Sequence, residues 1–208
     1  MLDRLYPNRF SNLKPGRIRY GVLGSDAGRI VDDGTICRLD DETFYVTTTS
    51  SGAGAMEEWF GWWLADWRMD VRLTDVTQGL AAVNLAGPKA REIMGALTEL
   101  DCSNEGFAYL DGKRARVAGV ESLILRIGFV GEVGYEIHFP AAYGQDVWDA
   151  ILGDLSDLDV SSAGFTYLDG KRGKVAGVDA LLLRIGFVGE VGYEIHFAAA
   201  YGLSLIHI

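Results

Sequence analysis

The sequence predicts an α+β fold in which antiparallel or mixed sheets carry packed helices. Short segments that alternate apolar and polar residues and are rich in β-branched side chains indicate half-buried strands. Helical segments are interspersed among these strands and do not suggest a doubly wound parallel sheet. The segment "SGAGAME" (Ser51–Glu57) follows a predicted strand but lacks the third glycine of the dinucleotide-binding fingerprint. No other feature supports a βαβ unit.

The N-terminal part of the chain is expected to form three strands. Gly16–Leu23 predicts the first strand, and the Gly- and Asp-rich segment Gly24–Gly34 predicts a turn after it. Thr35–Leu39 and Thr43–Thr49 both alternate and carry β-branched residues, so they predict the second and third strands.

A helix is expected over Ser51–Trp67. Ser51 can cap its N-terminus, and apolar residues recur at helical spacing. Trp59, Trp63 and Trp67 lie four residues apart and therefore share one face of this helix. The tryptophan stripe is interpreted as core or interface rather than as a ligand site.

The remaining elements show either the period of two that is typical of strands or the period of 3.6 that is typical of helices. Five further strands are predicted, over Asp70–Thr77, Gly79–Ala86, Arg114–Gly119, Glu121–Phe129 and Gly134–Phe139. Two further helices are predicted, over Gly87–Leu97, with Pro88 near its first turn, and over Ala141–Leu152.

A long segment of the chain occurs twice. Residues 106–144 match residues 164–202 with seven differences in 39 positions, and the similarity extends weakly back to Leu97 and Leu155. Solenoid repeats diverge more and usually need at least three copies, so a recent partial duplication or a join of two related sequences is the better interpretation. The second copy is expected to be loosely packed, or to donate strands to another molecule, because the first copy takes the native place.

Composition excludes several classes of function. The net charge of −10 argues against a nucleic-acid or membrane-surface partner, since both require a basic face. The two cysteines, Cys37 and Cys102, form no metal-binding or disulfide pattern, which fits a reducing cytoplasm. No apolar run has the length of a signal peptide core or a membrane span.

Few residues suggest chemistry by themselves. No phosphate-binding loop or nucleophile motif is present, and His138, His196 and His207 lack nearby metal-ligating partners, so no metal site is predicted. Asp32 and Asp33 lie in the predicted Gly-rich turn, which either holds a carboxylate at the edge of a site or is a plain turn.

A second acidic candidate lies in the first copy of the repeat. Glu136 ends the segment "GFVGEVGYE", whose glycines 128, 131 and 134 allow the backbone to approach a ligand or another chain segment. Tyr135 and Glu136 are expected to point to opposite faces of their strand.

Six segments are informative when they are taken together: "RIRYGVL", "GRIVDDGTI", "TFYVTTT", "VRLTDVT", "AAVNLAGPKARE" and "LRIGFVGEVGYEIHFPAAYG". They resemble the tetrahydrofolate-dependent aminomethyltransferase family, which includes the glycine-cleavage T-protein. The segments "NRFSNLKPGRIRYGV" and "LTDVT…VNLAGPKARE" are most similar to the C-terminal portion of the heterotetrameric sarcosine oxidase alpha subunit. The resemblance covers about residues 4–152 and implies a fragment of the family's folate-binding fold.

The resemblance also implies site residues. Asp33 matches the family's aspartate beside the folate nitrogens, and Glu136 matches the glutamate that binds the pterin edge. Phe129 takes the place of an aromatic residue that packs by the pterin and is often tyrosine. Tyr20 matches a tyrosine that precedes the "DDG" turn in the family. Arg126 matches the arginine that opens the repeated string.

The implied function is folate-dependent transfer of a one-carbon (methylene) unit from a small secondary or tertiary amine, with tetrahydrofolate as the acceptor. Sarcosine oxidase subunits are possible partners, and FAD, NAD and iron–sulfur chemistry would belong to other parts of such a complex. The alternatives are a non-catalytic folate-binding module and a non-functional fragment. Residues 1–153 would form a partial folate-binding domain, residues 154–202 a near-duplicate of 97–144, and residues 203–208 a non-native tail.

Overall fold

The computed structural model describes residues 1–129, 131–160, 163–175, 178–184 and 194–197. The chain divides into two compact units. Unit 1 comprises Met1–Gly79 with Leu110–Lys113, and unit 2 comprises Leu80–Tyr109 with Arg114–Ile208. The α+β prediction is confirmed, because both units combine helices with antiparallel strand pairs.

Unit 1 contains a three-stranded antiparallel sheet and two helices. Its elements are α1 (Leu2–Leu5), β1 (Arg17–Gly24), β2 (Ile30–Arg38), β3 (Phe44–Val46) and α2 (Ala53–Trp67), with the strands in the order β1-β2-β3. One face of the sheet packs on a core of buried side chains: Tyr6, Phe10, Leu13, Leu23, Ile36, Met56 and Phe60.

Three local predictions in unit 1 were wrong. Asp32 and Asp33 lie within β2 rather than in a turn, because the strand continues to Ile30 and pairs with β1 over that length. Ser51 does not cap α2, which begins after a single 3-10 turn and has Gly52 as its N-cap, without a side-chain hydrogen bond. The segment 70–76 has no regular structure, because its alternating residues find no partner strand among the described residues.

Unit 2 contains nearly all of a four-stranded sheet in the order β4-β7-β6-β5, with β4 (Leu80–Ala86), β5 (Gly112–Val117, which enters unit 2 at Arg114), β6 (Val120–Leu125) and β7 (Gly134–Pro140). Helices α3 (Ala90–Leu97) and α4 (Gly144–Leu155) contribute buried residues to the core of this unit. The core face of β7 alternates as expected, with Tyr135, Ile137 and Phe139 fully or almost fully buried.

The second copy of the repeat forms a sheet of its own. Its strands are β8 (Gly170–Val175), β9 (Val178–Leu183) and β10 (Glu194–Phe197), in the order β10-β9-β8. Its register repeats that of the first copy, since Leu125 pairs with Glu136 and Leu183 pairs with Glu194.

The expectation that the second copy is loosely packed is wrong for its described residues. Phe165 and Leu182 are fully buried, and they join Val160, Val175 and Ala180 in the same core cluster as side chains of the first copy. The reason is that the apolar faces of the two copies are nearly identical in sequence, so both can pack on one core. The expected non-native tail, residues 203–208, lies outside the described residues.

Candidate functional site

The two aspartates of the "DDG" segment point to opposite faces of β2. Asp33 pairs with Val22 and Thr35 pairs with Tyr20, so Asp33 and Tyr20 lie on one face as diagonal neighbours. Such neighbours are about 7–8 Å apart, within reach of a tyrosine side chain. Both side chains are exposed, Tyr20 by 40%, and the Asp33 carboxylate has no hydrogen-bond partner among the described residues.

Asp32 faces the core of unit 1 and is only 6% exposed. Its Oδ1 accepts hydrogen bonds from Thr49 Oγ1 at 2.5 Å, from Thr49 N at 3.1 Å and from its neighbour Asp33 N at 2.8 Å. These bonds tie β2 to the chain just before α2. Asp32 is therefore held as a structural acceptor, and Asp33 is the aspartate available to a ligand.

Gly34 and Thr35 fix the position of the strand beside Asp33. A Cβ atom on Gly34 would lie 2.0 Å from the Thr47 carbonyl oxygen, so only glycine fits against that backbone. Thr35 N donates a hydrogen bond to Thr47 Oγ1 at 2.8 Å, and the two threonine hydroxyls are 2.9 Å apart. These contacts hold the exposed carboxylate on a rigid element rather than on a flexible turn.

Glu136 lies on the face of β7 that is opposite the core of unit 2. Asn84 on β4 and Leu125 on β6 are its cross-strand partners. Its Oε2 is 3.4 Å from His138 Nε2, the next residue on that face, and the His138 side chain is 8% exposed. The Glu136 side chain keeps 19% exposure, so one edge of its carboxylate can meet a ligand.

Phe129 lies in the loop between β6 and β7 and is 58% exposed. Gly128 in this loop and Gly134 at the start of β7 are needed for a close approach of chain segments. A Cβ atom on Gly128 would lie 2.6 Å from the Glu132 carbonyl oxygen, and one on Gly134 would lie 2.6 Å from the Ile127 carbonyl oxygen. The loop thereby presents an apolar ring to the outside.

Arg126 points away from the face that carries Glu136. Its guanidinium donates to the Phe107 carbonyl oxygen and, at 2.5 Å, to Asn104 Oδ1, and it is 7% exposed. Phe107 in turn packs on Tyr135, a residue of the core face of β7, with ring centroids 5.9 Å apart. The structure therefore separates Arg126 from Glu136, although the resemblance assigns both residues to folate.

The repeat shows what this arginine does for the fold. Arg184, the counterpart of Arg126, donates to the carbonyl oxygen of Phe165, the counterpart of Phe107. It is equally buried, at 8% exposure. The contact forms even in a copy that has no "DDG" segment, and in both copies it fastens the loop before the sheet.

Comparison with known proteins identifies the family. The family model described as "GCVT N-terminal domain" matches residues 1–154 and again residues 149–207. The chain belongs to this family. The second match coincides with the second copy of the repeat, so the GCVT domain pattern is matched twice in this chain, once over a longer and once over a shorter stretch.

Two relatives of this GCVT-domain chain carry different names. The "Sarcosine oxidase subunit alpha" of Corynebacterium sp. (strain P-1) is 36% identical over 167 residues, which cover 78% of this chain and 17% of that protein. The "Aminomethyltransferase" of Desulforamulus reducens is 32% identical over 152 residues, which cover 73% of this chain and 40% of that protein. The chain thus spans less than half the length of these two relatives.

A solved structure supports the same family. The glycine cleavage system aminomethyltransferase T from Bartonella henselae matches with a TM-score of 0.56 and 25% sequence identity. The match covers 74% of this chain and 40% of that one. The GCVT fold is therefore recovered over most of the chain.

Some features of this GCVT domain were not apparent from sequence. The expectation that Asp32 and Asp33 occupy a turn obscured the alternation that buries one and exposes the other. The period of two along β7 places His138 on the same face as Glu136, so the sequence pattern already contains the signal for this pair. Among the described residues, no group of His, Cys, Asp or Glu side chains could hold a metal ion, and no helix could cross a membrane.

Proposed function

We propose that this GCVT domain binds tetrahydrofolate and serves as the one-carbon acceptor site of an aminomethyltransferase-like or sarcosine-oxidase-alpha-like protein. The methylene unit would come from a small secondary or tertiary amine. The names of the relatives support this class of reaction, and the observation that carries the proposal is that Tyr20 and Asp33 are exposed diagonal neighbours on one face of the β1–β2 pair.

Asp33 is proposed to be the catalytic residue. A nitrogen of tetrahydrofolate that attacks an iminium-like carbon must lose a proton, and a carboxylate placed beside that nitrogen can accept it. The Asp33 carboxylate is exposed and lies on a strand fixed by Thr35 and Thr47, whereas Asp32 is already occupied by Thr49. Tyr20 is proposed to contact the same ligand from its diagonal position.

Glu136 is proposed to bind the pterin. The amino-pyrimidine edge offers adjacent N–H donors, and one carboxylate can accept two of them at once. His138 supports the side chain of Glu136 from the same face of β7. Phe129 is proposed to pack against the pterin ring, where it lacks the hydroxyl of the tyrosine that is common in the family.

The remaining assignments are also proposals. Residues 1–153 would supply the folate-binding domain, and Glu194 in the second copy would bind no folate, because no second "DDG" segment accompanies it. In a sarcosine-oxidase-like parent, other parts of the complex would provide the flavin, NAD and iron–sulfur chemistry that releases the one-carbon unit. Such a parent would act in the cytoplasm.

Titration of the full chain with tetrahydrofolate tests this proposal. We expect saturable binding that Glu136→Gln weakens about ten- to a hundredfold, since hydrogen bonds to a charged group are each worth about 1.5–3 kcal/mol. Glu194→Gln is the matched control and should leave the affinity unchanged. Absence of binding, or equal losses from the two variants, would contradict the proposal.

A further inference from the structure

Two arginine side chains of unit 2 converge on one neutral oxygen. Arg91 Nη2 donates to Asn104 Oδ1 at 2.9 Å, and Arg126 Nη2 donates to the same oxygen at 2.5 Å. These distances from one oxygen put the two Nη2 atoms within 5.4 Å of each other. Arg91 also donates to the Cys102 carbonyl oxygen at 2.5 Å, so both guanidinium groups are fixed by the loop that precedes Phe107.

This arrangement holds two positive charges close together, and neither forms an ion pair with a carboxylate of the described residues. Arg126 is 7% exposed. Asp101, in the same loop, accepts a hydrogen bond from Ser103 N through its Oδ1. A buried guanidinium without a counter-charge is unfavourable, and a second guanidinium beside it adds repulsion.

We infer that Arg91, Arg126 and Asn104 form a binding site for a small oxyanion, such as a phosphate group. Each guanidinium has five N–H donors and uses two of them in the contacts above, so donors remain for a ligand. Two guanidinium groups at this separation can each take oxygens of one tetrahedral anion. Asn104 is exposed, which opens the site to solvent on that side.

The site lies on the other side of β7 from the proposed pterin contact Glu136. Arg126 lies on the side of β7 that carries Tyr135, and Glu136 lies on the other side. The second copy cannot repeat the site, because the residue that corresponds to Asn104 is Ser162 and the duplication does not reach back to Arg91. The inference therefore does not depend on folate binding.

Thermal unfolding of the full chain in sodium phosphate and in sodium chloride at equal ionic strength tests the site. Phosphate at ten times its Kd should raise Tm by about 3–6 °C relative to chloride. Arg91→Gln should abolish that difference. Arg114→Gln removes one positive charge from an exposed arginine outside the site, and it should preserve the Tm difference between phosphate and chloride. Equal Tm values in the two salts for the unaltered chain would overturn the inference.

Asn104→Asp provides a second test that does not depend on losing an arginine. The new carboxylate would pair with both guanidinium groups in place of the ligand, so Tm in chloride should rise and the response to phosphate should disappear. If this variant responds to phosphate as the unaltered chain does, the anion binds elsewhere and the assignment is wrong.

Discussion

Asp32 Oδ1 and Thr49 Oγ1 are 2.5 Å apart, and this bond fixes which aspartate of the pair is available for chemistry. Asp32→Asn should lower the free energy of unfolding by about 1–3 kcal/mol, because the amide NH₂ would face the N–H and O–H donors of Thr49. Asp33→Asn should change stability by less than about 0.5 kcal/mol, since Asp33 is exposed. Urea unfolding of the two variants measures the difference.

Asp32 and Asp33 also differ in their expected effects on catalysis. In the parent protein, Asp33→Asn should retain most folate affinity and slow methylene transfer by about 10²–10⁴, the usual effect of losing a general base. Tetrahydrofolate titration and single-turnover transfer, measured on one preparation, separate the two quantities. Full transfer activity in the Asp33→Asn variant would remove Asp33 from the catalytic role.

The period of two along the strands was readable from sequence, but strand ends and strand partners were not. Alternation correctly indicated β1, β4 and β7, and it placed Tyr135 and Glu136 on opposite faces. Gly28 and the aspartates suggested a long turn, yet pairing with β1 extends β2 to Ile30. Apolar and polar residues alternate equally well in the segment 70–76, yet this segment forms no strand. An alternating pattern favours a strand, but the strand forms only where a partner strand can pair with it.

The position of Arg126 shows another limit of the sequence. The resemblance matches Arg126 to the arginine that opens the repeated string and assigns it to folate. The structure adds that its side chain fastens the loop that contains Asn104 and Phe107, a contact between residues about twenty positions apart. Only the folded loop reveals that distant partner.

Tyr135→Phe should leave stability unchanged or raise it by up to about 1 kcal/mol. The Tyr135 hydroxyl is buried without a hydrogen-bond partner among the described residues, and burial raises its pKa. Removing an unsatisfied polar group while keeping the ring spares its desolvation cost. Tyr135→Leu is the control, and it should lower stability because it also leaves a cavity. A loss above about 1 kcal/mol in the Phe variant, measured by urea unfolding, would reveal a partner for the hydroxyl.

Truncation after Gly153 should strongly destabilise the chain. It removes Phe165 and Leu182, which are fully buried in the core of unit 2, and each large apolar core side chain is worth about 2–5 kcal/mol. We expect a fall in Tm of more than about 10 °C, or loss of cooperative unfolding, in scanning calorimetry. Truncation after Gly202, which removes the expected non-native tail, should change Tm by less than a few degrees. Equal Tm values for the full chain and the chain truncated after Gly153 would show that the second copy adds nothing to the core.

The stability of unit 1 should fall at alkaline pH because of Tyr6. Burial, with a smaller contribution from the Asp32 carboxylate, raises the pKa of Tyr6 to about 12, whereas an unfolded tyrosine has a pKa of 10.0. Between these values the unfolded chain releases the phenol proton while the folded chain retains it. The free energy of unfolding should therefore decrease by up to about 1.4 kcal/mol per pH unit as the pH rises above about 10.

Urea unfolding at about pH 8 to 11.5 should show a shallower decrease for Tyr6→Phe. Tyr109→Phe, at a tyrosine that is 57% exposed, should keep the original slope. Identical slopes for Tyr6→Phe and the unaltered chain would place the alkaline transition in other groups.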